Sequence, residues 1–225
     1  MRHLVQFHDY EQDFLPTETW EPFDRWIFSR QPPIQNEIGS RVFLIAGVGQ
    51  QQQCFLWTSF IIDKVEESGP DVFRASGKGW DLNPPQRLAG EEFAQFRESC
   101  LDFVVVRRID DMPFLKTLVS LADQFHRDKF DDQSLAFCDD LVTLIPRDAN
   151  AYDLRSTVRQ NRGDLAGAIR DLERAAACYT EPYEEEFAED RLELANRIRA
   201  GIPIEAAPTK VKKTTRKTSR KRRRR

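Results

Sequence analysis

The chain has 225 residues, with 34 Lys and Arg against 37 Asp and Glu, a net charge of −3 and an apolar content of 40%. Residues Lys210 to Arg225 hold eleven of the cations and no acid, which leaves 23 against 37, a net of −14, for residues 1–209. A near-neutral total thus hides two oppositely charged parts, and that asymmetry bears on partners. No apolar run approaches the roughly 20 residues that span a bilayer, so the expectation is a soluble chain without a membrane span. Cys54, Cys100, Cys138 and Cys178 lie far apart in apolar contexts with no CxxC. Buried free thiols in a reducing compartment are expected, rather than a disulfide frame or a zinc site.

From the N-terminus, Met1 to His8 lacks the continuous apolar stretch of a secretory signal. Strands are expected at 4–7, 41–46, 54–62, 71–75 and 102–106, each rich in β-branched and aromatic residues. Gly47 to Gln53 reads as a hairpin loop, and helices are expected over about 19–29 and 90–99. Phe93 and Phe96 mark the second helix, with Glu91 and Glu92 in its first turn. The segment Ser76 to Leu88, with two glycines and two prolines, reads as a structured loop of the kind that carries binding residues. Its Gly77-Lys78-Gly79 is not a phosphate loop, because the Lys-Ser/Thr ending is missing.

The N-terminal strand, the aromatic stretch Trp20, Trp26, Phe28, the run Gly39-Ser40-Arg41-Val42-Phe43 and Phe55-Leu56-Trp57 together resemble the PUA-like barrels, which include EVE and YTH domains. The resemblance spans residues 1–108 and implies a pocket in which aromatic rings stack a nucleotide base. Trp57 and Trp80 would then stack, with Asn83 as hydrogen-bonding partner. Core packing is the competing role for each tryptophan.

The second half reads as helical hairpins. Sliding residues 114–145 forward by 34 positions aligns Leu118 with Tyr152, Leu135 with Ile169 and Leu141 with Ala175. Asn150 is a candidate helix cap, Gly163 a left-handed stop and Asp164 the next cap. Leu165, Ala168, Ile169, Leu172, Ala175, Ala176 and Tyr179 form one stripe. The spacing Tyr152…Gly163-Asp164…Ala168…Leu172…Ala175 resembles a tetratricopeptide repeat over about 114–180, with Arg155 and Arg159 where that family has apolar residues. The resemblance implies either a structural, dimerising role or a peptide-binding groove. Arg155, Arg159 and Arg162 are the candidate surface for an acidic protein partner, with a solvated helix face as the alternative. Residues 183–200 should add a capping helix with Ala188, Leu192, Ala195 and Ile198 on its buried stripe.

No catalytic signature emerges. His3, His8 and His126 form no HExxH or HxH pattern, and no GxSxG, Walker or Rossmann motif occurs. Asp63, Lys64, Glu66, Glu67 and Asp71 are the nearest approach to a metal-dependent nuclease, without the Glu-x-Lys unit. No cofactor and no metal is expected.

The expected architecture is α+β: a small curled sheet or half-open barrel over 1–110, antiparallel tetratricopeptide-like hairpins over 111–200, and a basic tail over 201–225. The tail cannot bury enough surface to fold and should be disordered. Lys210, Lys212, Lys213, Arg216, Lys217, Arg220, Lys221 and Arg222, Arg223, Arg224, Arg225 suit phosphate neutralisation without base reading. The first functional expectation is a non-enzymatic DNA- or RNA-associated protein, cytoplasmic or nucleoid-associated, or nuclear in a eukaryote. The alternatives are a tetratricopeptide-type protein-interaction adaptor and, third, a nuclease or base-modifying enzyme in the N-terminal half.

Overall fold

A computed structural model describes residues 1–9, 23–29, 32–69, 72–100, 106–125, 130–181 and 184–201. The chain is α+β, a curled half-open sheet followed by helical hairpins. The strands are β1 (His3–Asp9), β2 (Phe23–Ser29), β3 (Arg41–Val48), β4 (Gln53–Ile61), β5 (Lys64–Gly69), β6 (Val72–Leu88) and β7 (Arg107–Arg108). They form one seven-stranded sheet in the order β2-β6-β4-β3-β1-β7, with β5 also paired to β6. β1 runs parallel to β3; the other pairings are antiparallel.

Alternation along the strands divides the core. Val5, Phe7, Phe43, Ile45 and Leu56 face α1 (Glu91–Ser99) and α2 (Leu115–Phe125), meeting Phe93, Phe96, Phe114 and Leu118. On the other face, Leu4, Val42, Leu44, Phe60, Ile62 and Ala75 close against Ile27 and Ile34 where the sheet curls on itself. The far end of that face, Ala46, Val48, Phe55 and Trp57, packs on α3 (Asp132–Leu144) and α4 (Ala149–Asn161). The turn at Gly49 sits against the Leu144 carbonyl of α3.

Two expectations over the β half are corrected. Residues 23–29 are a strand, not part of a helix: all seven pair with β6, from Phe23 opposite Gly79 to Ser29 opposite Phe73. A long-range ladder overrides local helical preference there. The stretch 76–88 belongs to β6 and is not a loop. Its glycines permit close backbone approach: a Cβ on Gly77 would lie 1.8 Å from the Ile61 carbonyl oxygen, and one on Gly79 would lie 2.3 Å from Phe60 Cβ. Its prolines sit where the β4–β6 register breaks, between Leu56 opposite Gln86 and Thr58 opposite Asp81, so no ladder bond needs their missing N–H. Gly77→Ala is therefore expected to cost at least about 1–3 kcal/mol, read from thermal or urea unfolding. Gly69→Ala, where a Cβ would meet nothing within 4 Å, is the control expected to stay near neutral.

Sequence expectation and structure agree most closely in the helices. Glu91–Ser99 forms as expected and buries Phe93 and Phe96. α5 (Leu165–Cys178) starts at Asp164, whose carboxylate accepts the Gly167 N–H, after Gly163 at φ +81. α4 is capped by Asp148 rather than Asn150: its side chain accepts the N–H groups of Asn150 and Ala151. α6 (Glu185–Arg199) packs on α5 through Ala195 and Ile198 against Leu172. Leu192 was expected on the buried stripe but is 44% exposed, because no further helix of the described residues covers that side. The hairpins are α4–α5 and α5–α6. α2 and α3 pack on opposite faces of the sheet, so residues 114–145 do not form a packed hairpin, and the helices share their cores with the β half. Residues 102–105 of the strand expected at 102–106, His126, Asp71, Trp20 and the tail from 202 onward lie outside the described residues.

Candidate nucleic-acid and partner interfaces

Trp57 and Asn83 line no open pocket. Trp57 is the extra residue of β4 where its register slips against β3, between Leu56 and Thr58, and β6 bulges opposite it through Leu82 to Pro85. Such a bulge re-aims the side chain it carries. Here the indole is turned into the core, 2% exposed, edge-on to Phe137 of α3 at 5.7 Å between ring centroids. Asn83 is fully buried, and its Oδ1 accepts the Ser134 hydroxyl at 2.8 Å, pinning the bulged part of β6 to α3. The stacking expected of Trp57 has no room, because a base cannot reach a ring already covered by a helix, and the Asn83 side chain expected to hydrogen-bond a base is buried against Ser134. Trp80 holds a β6 position opposite Ser59, and its side chain lies outside what is described.

The arginine surface is likewise spent inside the protein. Asp171 of α5 is 2% exposed. Arg155 Nε donates to its Oδ1 and Oδ2 at 3.2 and 3.0 Å, and Nη2 to Oδ1 at 2.7 Å. Arg155 Nη1 also reaches Asp139 of α3 at 2.8 Å. Arg159 Nη1 donates to Asp171 Oδ2 at 2.8 Å, and Arg162 Nη2 to Asp132 Oδ1 at 2.5 Å. Burial works against the Arg155 charge, but Asp171 and Asp139 outweigh it and hold the guanidinium above its ordinary range. Arg162 is exposed, and its pair with Asp132, itself 93% exposed, lies at the surface. Arg155 and Arg159 tie α3, α4 and α5 together and are not a free surface for an acidic partner. The physical reason is that a carboxylate taken out of water needs a cation with good geometry. Arg155 and Arg159 are thus matched by Asp171 on the facing helix.

The remaining chemistry-bearing groups among the described residues are engaged in structural contacts or buried. His3 Nδ1 lies 3.0 Å from Asp110 Oδ1, which also accepts the His3 backbone N–H at 2.9 Å. Arg108 bonds both the buried Glu37 and, more distantly, Asp110. This network pins β7 to β1 and the turn before β3. All four cysteines are free. Burial pushes the Cys54, Cys100, Cys138 and Cys178 thiols up, the opposite of an activated nucleophile. Lys64 and Glu66 form an exposed pair at 2.7 Å on β5, where the hydrogen bond from Lys64 holds the Glu66 carboxyl below its usual range. Among the described residues, no three His, Cys, Asp or Glu side chains converge as a metal site, and no helix is long and apolar enough to cross a membrane.

Concavities among the described residues include two near the β3–β4 turn. One of about 500 Å³ lies between the β3–β4 turn and α1, lined by Cys54, Arg87, Phe93 and Arg97. A larger groove of about 820 Å³ runs among Gln50 and Gln51, the α3–α4 connection at Ile145 to Asn150, and Tyr179. No sequence signal marked either, because each is built from turns distant in the chain. The outer side of α6 is open, with Glu185, Glu189, Leu192 and Glu193 exposed. The tail cations, Lys210 to Arg225, lie outside the described residues and attach through Gly201 at the end of α6. No protein-family model, no curated protein and no solved structure matches this chain.

Proposed function

We propose that this is a non-enzymatic, nucleic-acid-associated protein whose residues 210–225 bind phosphate backbones. The observation that carries this reading is the partition of charge: eleven cations in the tail against a net of −14 in residues 1–209. Internal pairing strengthens it, since Arg155, Arg159 and Arg162 are already engaged by Asp171, Asp139 and Asp132. Binding of this kind proceeds by counterion release and reads no bases. With Trp57 and Asn83 buried, sequence preference is expected to be slight. Its test is a salt titration of DNA and RNA binding by the full chain and by residues 1–209. Engagement of about six to ten phosphates predicts a roughly 10³–10⁵-fold loss of affinity between 50 and 200 mM salt, and loss of binding on truncation. Equal binding by the two forms, or none by either, defeats the reading.

A second reading, a protein-interaction adaptor, is favoured by the groove of about 820 Å³ at the junction of sheet and hairpins. In it α4, α5 and α6 act as a tetratricopeptide-like stack and the tail only localises the protein. Absence of nucleic-acid binding by the full chain would leave this as the standing reading.

A further inference from the structure

Among the described residues no other element covers the outer face of α6, which carries a run of like charge. Glu185, Glu189 and Glu193 stand at successive four-residue steps, so each is stacked over a like charge, and all three are exposed. Like charges at that spacing each cost roughly 0.2–0.5 kcal/mol. The helix dipole offsets this only within the first turn, which covers Glu185 but neither Glu189 nor Glu193. Beside them run Leu192, 44% exposed, Asn196 and Ala200, lining a shallow groove of about 510 Å³ along the helix. Of the basic residues of α6, Arg191 pairs with Asp153 at 2.8 Å and Arg199 with Glu173, while Arg197 lines the same groove one turn beyond Glu193, so the stretch with no cation at four-residue spacing is Glu185 and Glu189. A cationic, largely extended occupant would relieve this repulsion.

The chain carries such an occupant at the end of the same helix. We propose that residues 210–225 dock on the outer face of α6 along Glu185, Glu189 and Glu193, and that a nucleic-acid backbone competes with this face for the tail. The competition, though not the docking, rests on the nucleic-acid reading above. Reach is sufficient. The helix from Glu185 to Arg199 is about 21 Å long at 1.5 Å per residue. Residues 202–209 span up to roughly 26–29 Å when extended, so Lys210 can return to the first turn of α6. A short tether holds the tail at an effective concentration of order millimolar, which favours the chain's own tail over a neighbour's at micromolar protein. The same face of a second copy is a poor occupant, because it would set like charges against like.

Zero-length carbodiimide cross-linking of the full chain at low salt, read by mass spectrometry, tests this. Links from Lys210, Lys212 and Lys213 to the α6 glutamates are expected in the monomer band. They should be lost in E185Q/E189Q/E193Q, which removes no packing contact, and suppressed at about 0.5 M salt, where screening falls to a few ångströms. No links, links in the dimer band alone, or links spread over the body and unchanged by the triple substitution overturn the docking. In a second arm a thymidine homo-oligonucleotide is added, and the links should disappear. If they persist while the first arm succeeds, the competition and the nucleic-acid reading fail, and the docking stands.

Discussion

Replacing Arg155 and Arg159 together with alanine is expected to destabilise the folded chain by about 3–5 kcal/mol, the largest effect among substitutions in the helical half. The double substitution leaves Asp171, 2% exposed, as a buried carboxylate without a cation. D171A should cost less. The two guanidiniums it frees are 16% and 19% exposed in their side chains, and Arg155 keeps Asp139. The triple substitution R155A/R159A/D171A should recover part of the loss, since it removes the stranded charge along with its partners. Urea unfolding of the four proteins measures the cycle. Additive costs, or a D171A loss larger than that of R155A/R159A, would show that Asp171 is not held by these arginines. Arginines on a solvated face, or facing a protein partner, would instead give changes within about 0.5 kcal/mol.

W57A is expected to cost about 3–5 kcal/mol, the range for truncating a large buried aromatic. The indole bridges sheet and α3 through Phe137, and the edge-on pair adds to the area lost. The salt slope of nucleic-acid binding should be unchanged, because the tail carries it. Stability and binding therefore separate the two roles a tryptophan could hold here. A W57A protein as stable as the parent but weaker for single-stranded DNA would restore base stacking. Unfolding by urea and a parallel salt titration decide it.

How far the fold was legible varied with the range of the interactions. Gly163 and Asp164 announced the α4–α5 hairpin because caps and stops act within a few residues. Asp148 took the α4 cap two positions before Asn150, a choice between neighbouring side chains that only the local backbone path makes. β2 was hidden, since what makes Phe23–Ser29 a strand is pairing with residues 73–79, some fifty positions away. The glycines and prolines of 76–88 were misleading for a related reason. Both residue types punctuate loops, but here they serve a close crossing with Ile61 and a bulge opposite Trp57. The candidate pocket failed with them, because burial of Trp57 and Asn83 depends on α3, which nothing local to β4 or β6 reveals.

The sequence by itself determined the charge partition, the acidic body with its basic tail, the fold class and the run of helices after α3, because these follow from composition and short-range periodicity. The tertiary structure decided which charges are free to act. Arg155, Arg159 and Glu189 are all charged residues on amphipathic helices, indistinguishable by type and spacing. Two are consumed by a carboxylate on a facing helix, and the third stands in solvent on the helix that leads into the tail. Charge interactions depend on distance in space and on burial, and neither is carried by position along the chain.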